Sequence, residues 1–337
     1  MRLVEPRHVG GFTAHCGGVR LEHEELGAVV EVDALADLAH EDAEPAALVD
    51  GVGHELFTEQ GQVSLHAYHK GGNFVIELRD DGSVVAINGD PLAAGGLGSG
   101  PGQFSVTRRV VSDYKLLAPV VPTAVICIGL NYRRHAEEGK FPMPERPMVF
   151  MKTPSALQHP GDPVVLPRVL RSDKVDYECE LAVVIGRPAR NVKAAEALAY
   201  VLGYTCGNDV SARDWQLEWG GGQWCRGKTF DTFLPLGPAL VTGDQIGDPN
   251  ALPIKTTLNG QTMQDWNTED MIFDVRTLIE FLSGSTTLQP GTVIMTGTPH
   301  GVGSARTPPV FLQPGDTVTV SIEGIGDLTN PVEEEST

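Results

Sequence analysis

Glu178 and Glu180 stand two residues apart in Asp176-Tyr177-Glu178-Cys179-Glu180, and an apolar run, Leu181-Ala182-Val183-Val184-Ile185, follows at once. Side chains alternate faces along a strand, so the two carboxylates project the same way with backbones roughly 7 Å apart. Like charges on one face beside an apolar strand repel each other and lose solvation. A cation between them relieves both costs, and a hard divalent ion held by oxygen ligands is the economical choice. A third acid, Asp209, follows in Gly207-Asn208-Asp209-Val210-Ser211-Ala212-Arg213-Asp214. This grouping points to an enzyme using Mg²⁺ or Mn²⁺.

A second pair lies upstream. Ile128-Gly129-Leu130-Asn131-Tyr132 leads from a strand into a short helix that holds His135 and Glu138. Three apart on a helix, they are neighbours on one face, and the carboxylate can orient and polarise the imidazole. Such a pair serves as a general base toward water, and equally forms a plain surface ion pair. Gly139 ends that helix as a C-terminal cap would. The stretch 139–147, with three prolines, reads as a stiff flap able to close on the site or as an ordinary surface loop.

The elements that must position these groups are mostly short strands. Apolar runs bounded by Gly and Pro predict strands at 124–128, 148–151, 181–185, 202–206, 239–241, 254–258, 292–295 and 317–322. Helices are expected at 132–138, 194–201, 211–216 and 271–282. The pattern is that of an α+β, β-rich fold with a mixed sheet or roll and peripheral helices. Residues 1–118 read differently, as a small N-terminal module ahead of a catalytic domain at 119–337. Seven of the ten histidines are scattered there singly, as surface histidines are, and Asp80-Asp81-Gly82 between two apolar runs signals a hairpin. The glycine-rich stretch 95–102 lacks a following Lys-Ser/Thr and reads as a loop near the domain junction, not a phosphate cradle.

The 337 residues carry a formal net charge of −19, which argues against nucleic acid or an anionic membrane as partner. Five cysteines show neither paired nor zinc-like spacing, as in a reducing compartment. The N-terminal residues carry no apolar signal core and no run is long enough to span a membrane, so a cytoplasmic protein is expected.

Gly-Leu-Asn-Tyr with His135, Asp-Tyr-Glu-Cys-Glu, Asn-Asp-Val-Ser-Ala-Arg-Asp, Gly227-Lys228-Thr229-Phe230-Asp231, Leu236-Gly237-Pro238 and Thr296-Gly297-Thr298-Pro299-His300-Gly301-Val302-Gly303 occur in that order. Over roughly residues 119–332 the chain thereby resembles the fumarylacetoacetate hydrolase family, and residues 1–118 resemble the N-terminal module, here of α/β type, of its longer bacterial-type members. The resemblance implies a mixed β-roll, a homodimer and a Mg²⁺ or Mn²⁺ site with Glu178, Glu180 and Asp209 as ligands. It places His135 and Glu138 as the water-activating dyad and Lys228 as the active-site lysine, a position whose other reading is a solvated surface lysine. Arg213 and Gln216, four and seven residues beyond Asp209, share a helix face and fit substrate contacts; Arg213 could instead pair with Asp214 or Asp209. Thr298 could offer its hydroxyl to substrate or serve a structural turn. Trp219-Gly220-Gly221-Gly222-Gln223-Trp224 replaces the tyrosine-bearing segment of the fumarylacetoacetate-cleaving enzymes, which argues against that substrate.

The expected activity is metal-dependent cleavage of a small-molecule 2-oxo acid, in concrete form the hydrolysis of an acylpyruvate to release pyruvate. The alternative is an oxaloacetate-type decarboxylase, or an isomerase or decarboxylase of 2-hydroxy-dienedioates from aromatic breakdown. A third reading, an inactive binding relative, predicts the loss of a key residue, yet the three acids, His135 and Lys228 are all present.

Overall fold

The structure is a computed structural model that describes residues 115–336 and, ahead of them, the backbones of four strands. Those four are β1 (Gln62–His69), β2 (Gly72–Leu78), β3 (Val84–Gly89) and β4 (Phe104–Val110), and β5 (Lys115–Leu116) joins them in an antiparallel sheet of order β4-β3-β2-β1-β5. The hairpin expected around Asp80-Asp81-Gly82 is the β2–β3 pair, with Leu78 opposite Val84. Of the scattered N-terminal histidines, His66 and His69 fall in β1; His8, His15, His23, His40 and His54, like the 95–102 loop and Cys16, lie outside the described residues.

The next strands are β6 (Ala124–Gly129), β7 (Met148–Lys152), β8 (Leu157–Gln158), β9 (Val164–Leu166), β10 (Val175–Asp176), β11 (Cys179–Ile185), β12 (Val201–Asn208) and β13 (Ser211–Ala212). They are followed by β14 (Leu234–Thr242), β15 (Pro253–Leu258), β16 (Gln261–Asn267), β17 (Thr292–Met295), β18 (Thr317–Ile322) and β19 (Gly326–Glu334). Four short helices interrupt them: α1 (Arg133–Glu138), α2 (Cys225–Lys228), α3 (Gly243–Ile246) and α4 (Val275–Ser283). A mixed seven-stranded sheet runs β7-β6-β17-β11-β12-β14-β8, and a five-stranded sheet runs β16-β15-β18-β19-β9.

The central strand β11 explains the layering. Ala182 and Val184 face one apolar core with Val125, Cys127, Val293 and Met295, while Leu181, Val183 and Ile185 face another. That second core takes Ile254, Val320 and Ile322 from the five-stranded sheet and Val275, Leu278, Ile279 and Leu282 from α4. The α4 residues follow the i, i+3, i+4, i+7 spacing of a helix with one buried stripe. Asp274 caps α4 by accepting a bond from the Thr277 N–H at 2.7 Å, so the helix starts at Val275 and not at 271.

Two further expectations change. Residues 211–216 are not one helix: Ser211–Ala212 pair with Val175–Asp176, and a π-helical turn follows at Asp214–Glu218. Residues 194–200 wind as a 3₁₀ turn. Among the described residues no helix is long and apolar enough to cross a membrane.

Candidate active site

Strand direction brings the chemical groups to one end of the seven-stranded sheet. β11 runs antiparallel to β12 and β17, and β17 runs parallel to β6. The start of β11 (Glu178, Glu180), the end of β12 (Asp209), the exit of β17 (Thr296–Gly303) and the exit of β6 (α1) therefore meet. β14 runs antiparallel to β12, so α2, which precedes it and ends on Lys228, arrives at the same place.

Glu178, Glu180 and Asp209 are buried there and each offers a carboxylate oxygen within 4.8 Å of the others. Three cations attend them. Lys228 Nζ lies 2.8 Å from both Glu178 Oε2 and Asp209 Oδ2, Lys152 Nζ lies 2.6 Å from Asp209 Oδ1, and Arg213 Nη1 lies 2.6 Å from Glu178 Oε1. Arg213 also donates from Nε to Asp176 Oδ2 at 2.9 Å and from Nη1 to Gln216 Oε1 at 2.9 Å. Arg213, read as a substrate contact with an ion pair to Asp214 or Asp209 as the alternative, does form ion pairs, but with Asp176 and Glu178. Lys228 is 1% exposed, so its reading as a solvated surface lysine is set aside.

The charges fall unevenly on the acids. Burial works to raise the Glu178 carboxyl, but Lys228 and Arg213 outweigh it and hold its pKa at about 2. Glu180 goes the other way: burial first, then the charges of Asp209 and Glu178, push it well above the carboxylate range. Among the described residues Glu180 has no cation at ion-pair distance, and its bond comes from the Gly297 N–H at 2.8 Å. Four buried carboxylates, counting Asp176, thus face three cations, and the deficit sits at Glu180. A divalent ion among Glu178, Glu180 and Asp209 fits this donor set: it supplies the charge that Glu180 lacks, through hard oxygen ligands.

The glycines of Thr296–Gly303 serve the same acids. Gly297 bonds Glu180, Gly301 N–H donates to Glu138 Oε1 at 2.9 Å, and Gly303 N–H donates to Asp176 Oδ1 at 2.7 Å. A Cβ on Gly301 would meet the Met263 carbonyl oxygen at 2.4 Å, at a φ of +96°. Asn131 locks this loop to α1 by donating from Nδ2 to the Thr296 and Phe273 carbonyls at 2.7 and 3.0 Å. The Thr298 hydroxyl donates to the Cys179 carbonyl at 2.9 Å and accepts from Gln264 at 2.8 Å, which ties the loop to β11.

His135 Nδ1 lies 3.2 Å from Glu138 Oε2, the pairing that their spacing predicts. The Glu138 pKa is lowered: burial opposes the shift, and the bonds from His135 and the Gly301 backbone prevail. Both residues line a cavity of about 360 Å³ whose floor is Glu178, Glu180, Arg213, Gln216 and Lys228. The seven-residue stretch 141–147 is largely exposed, with Phe141 lining the cavity.

Residues 124–333 match the family description "Fumarylacetoacetate (FAA) hydrolase C-terminal". The chain belongs to the fumarylacetoacetate hydrolase family. Among its relatives in that family, a human mitochondrial oxaloacetate tautomerase is 44% identical over 277 residues, spanning 78% of this chain and 88% of the relative. The crystal structure of 5-carboxymethyl-2-hydroxymuconate delta-isomerase from Mycobacterium smegmatis is 40% identical with a TM-score of 0.68, covering 82% of this chain and all of that one. That of 2-hydroxyhepta-2,4-diene-1,7-dioate isomerase from Mycobacterium marinum is 37% identical with a TM-score of 0.67 and the same coverage. The β-rich, curled mixed sheet is the fold of this fumarylacetoacetate hydrolase family member.

Eight of the nine residues singled out in the sequence line the cavity; Asp209 does not, and it joins the others through its pairing with Lys228. Two contributors escaped that reading. Lys152 ends β7 on the side that Phe150 shares, a parity that marks it as inward, but a lysine at a strand end reads as solvated. Asp176 and Val175 make up a two-residue strand, paired with Ser211–Ala212 and too short to leave a pattern.

Proposed function

We propose that this protein is a divalent-metal-dependent enzyme that interconverts the enol and keto forms of a small 2-oxo acid, with oxaloacetate the first compound to test. The supporting observation is a His135–Glu138 pair lining the same cavity as Glu178 and Glu180, two members of a buried triple carboxylate with Asp209. The named activities of the relatives agree: one is an oxaloacetate tautomerase, and the two isomerases are named for 2-hydroxy-diene acids, which are enols of 2-oxo acids. This is closer to the decarboxylase-or-isomerase alternative than to acylpyruvate hydrolysis, which would use the same dyad on water.

Glu178, Glu180 and Asp209 would hold Mg²⁺ or Mn²⁺, which supplies Lewis acidity toward a 2-oxo or enol oxygen. Lys228 and Arg213 keep Glu178 ionised and restrain its position. His135, oriented by Glu138, carries the proton: the enol O–H bond breaks, the electron pair of C2=C3 takes a proton at C3, and C2=O forms. The net reaction moves one proton and changes no oxidation state. We take residues 119–337 as the catalytic domain, since every site residue comes from it, and 1–118 as the N-terminal module. The homodimer is retained on the support of Met148, Val149 and Met151, exposed apolar side chains on the edge strand β7.

The test is the decay of enol-oxaloacetate absorbance with Mg²⁺, Mn²⁺ or EDTA, beside assays of pyruvate release from oxaloacetate and from acetylpyruvate. EDTA-sensitive acceleration of enol decay without pyruvate is the expected result. Pyruvate from acetylpyruvate as the dominant activity would replace this reading with the hydrolase. His135→Gln should lower the rate by about 10²–10⁴, the usual contribution of a general base.

A further inference from the structure

Part of the cavity lining is an apolar wall of Leu130, Phe141, Phe150, Trp224 and Val302, while His135, Glu138 and Ser304 line the cavity as well, and the two permanent cations among the described lining residues are Arg213 and Lys228. Both are engaged there: Arg213 with Asp176, Glu178 and Gln216, its Nη2 making no hydrogen bond among the described residues, and Lys228 with Glu178 and Asp209. The wall is built, not incidental. The turn at Gly221 and Gly222, with φ of +59° and +85°, returns the chain so that Trp224 lies on Gly129, where a Cβ would sit 2.3 Å from its ring. Phe150 meets Trp224 edge-on with ring centroids 5.6 Å apart, and Lys228 Nζ is 4.9 Å from the Phe150 centroid. The aromatic surface thus adjoins the lysine that pairs with Glu178 and Asp209. Phe141, 57% exposed, also lines the cavity.

A diacid seated by its 2-oxo end on the floor would turn its second carboxylate toward this wall, where burying an unpaired charge is costly. An aromatic ring there would meet ring edges and faces instead. The cavity volume of about 360 Å³ falls in the range of pockets for ligands larger than a four-carbon acid.

Resting on the tautomerase reading, we propose that the enzyme accepts 2-oxo acid enols bearing an aromatic or branched apolar group at C3, with Trp224 and Phe150 as the residues that receive it. Phenylpyruvate is the probe. Its enol loses the O–H proton at C2 and gains a proton at C3, the same balanced step as for oxaloacetate.

The experiment compares enol decay of phenylpyruvate and oxaloacetate on the full chain with Mg²⁺, and calorimetric binding of phenylpyruvate against pyruvate. Expected are kcat/KM for phenylpyruvate at least equal to that for oxaloacetate and binding at least tenfold tighter than pyruvate. Trp224→Ala should shift the phenylpyruvate-to-oxaloacetate ratio of kcat/KM by tenfold or more toward oxaloacetate, and Trp224→Phe should restore most of it. Turnover of oxaloacetate with phenylpyruvate neither turned over nor bound tighter than pyruvate would overturn the inference and leave the tautomerase reading standing. Tighter binding of phenylpyruvate with no enol decay on either compound would keep the apolar subsite and overturn the tautomerase reading.

Discussion

Glu180 is the residue on which the metal argument turns, because it is buried, lacks a cation at ion-pair distance among the described residues and has a raised pKa. Its unfolded value is about 4.3. A folded pKa above that means protonated Glu180 contributes stability fully present below about pH 4 and lost as pH rises through the raised value. Glu178, held at about 2, has the opposite sign: its contribution is present above about pH 4.3 and fades as pH falls toward 2. We therefore expect added Mg²⁺ or Mn²⁺ to raise the melting temperature more at pH 8 than at pH 5, since the ion replaces the proton on Glu180. The stabilisation should reach about 2.7 kcal/mol at a hundred times the dissociation constant. Glu180→Gln should remove both the pH dependence and most of the ion's effect; undiminished stabilisation by Mg²⁺ in that variant would strike Glu180 from the ligand set.

The Thr296–Gly303 loop shows how an element rather than a single side chain builds the site. Each of Gly297, Gly301 and Gly303 turns a backbone N–H to one acid, and the approach is too close for a side chain. Gly301→Ala must strain a φ of +96° and push on the Met263 carbonyl, and it disturbs the bond that orients Glu138. A stability loss of roughly 1–3 kcal/mol in thermal denaturation is expected, together with a fall in enol–keto conversion. Wild-type stability and rate in that variant would show the loop to be merely a connection. In α4, Leu278→Ala should cost about 2–5 kcal/mol by leaving a cavity between helix and sheet, yet leave Mg²⁺ affinity near wild type because Leu278 is not among the residues that line the cavity.

Taken as a molecule, the chain carries −19 overall while its cavity gathers cations around acids. A bound dication turns the local deficit of one into a positive balance, so an anionic acid can be drawn in against the global field. The outward side of β7 is the other whole-molecule feature: Val149 and Met151 are about half exposed on an edge strand, the type of apolar edge that proteins cover. Val149→Lys with Met151→Lys should halve the mass measured by light scattering if two chains meet there. A wild-type protein that runs as a monomer at micromolar concentration would remove the homodimer proposal.

Much of this was legible in the residues. The alternation of Glu178 and Glu180 ahead of an apolar run, the three-residue spacing of His135 and Glu138, and strands at 292–295 and 317–322 follow from periods of two and 3.6, which are local properties of the backbone. The helix expected at 211–216 failed because Val175–Asp176 offers Ser211–Ala212 a distant strand partner, Asp176 opposite Ser211 and Val175 opposite Ala212, a pairing no local propensity records. Lys152 and Asp176 were passed over for the same reason: a buried lysine is tolerable only where a carboxylate 57 residues on in the chain meets it. Residue types and short spacings are written along the chain, so chemistry and local geometry could be read there. Which acid lacks a counter-charge, which glycine touches which acid, and which aromatic lines the cavity depend on distances through space, and those are set when antiparallel strands bring distant segments to one end of a sheet.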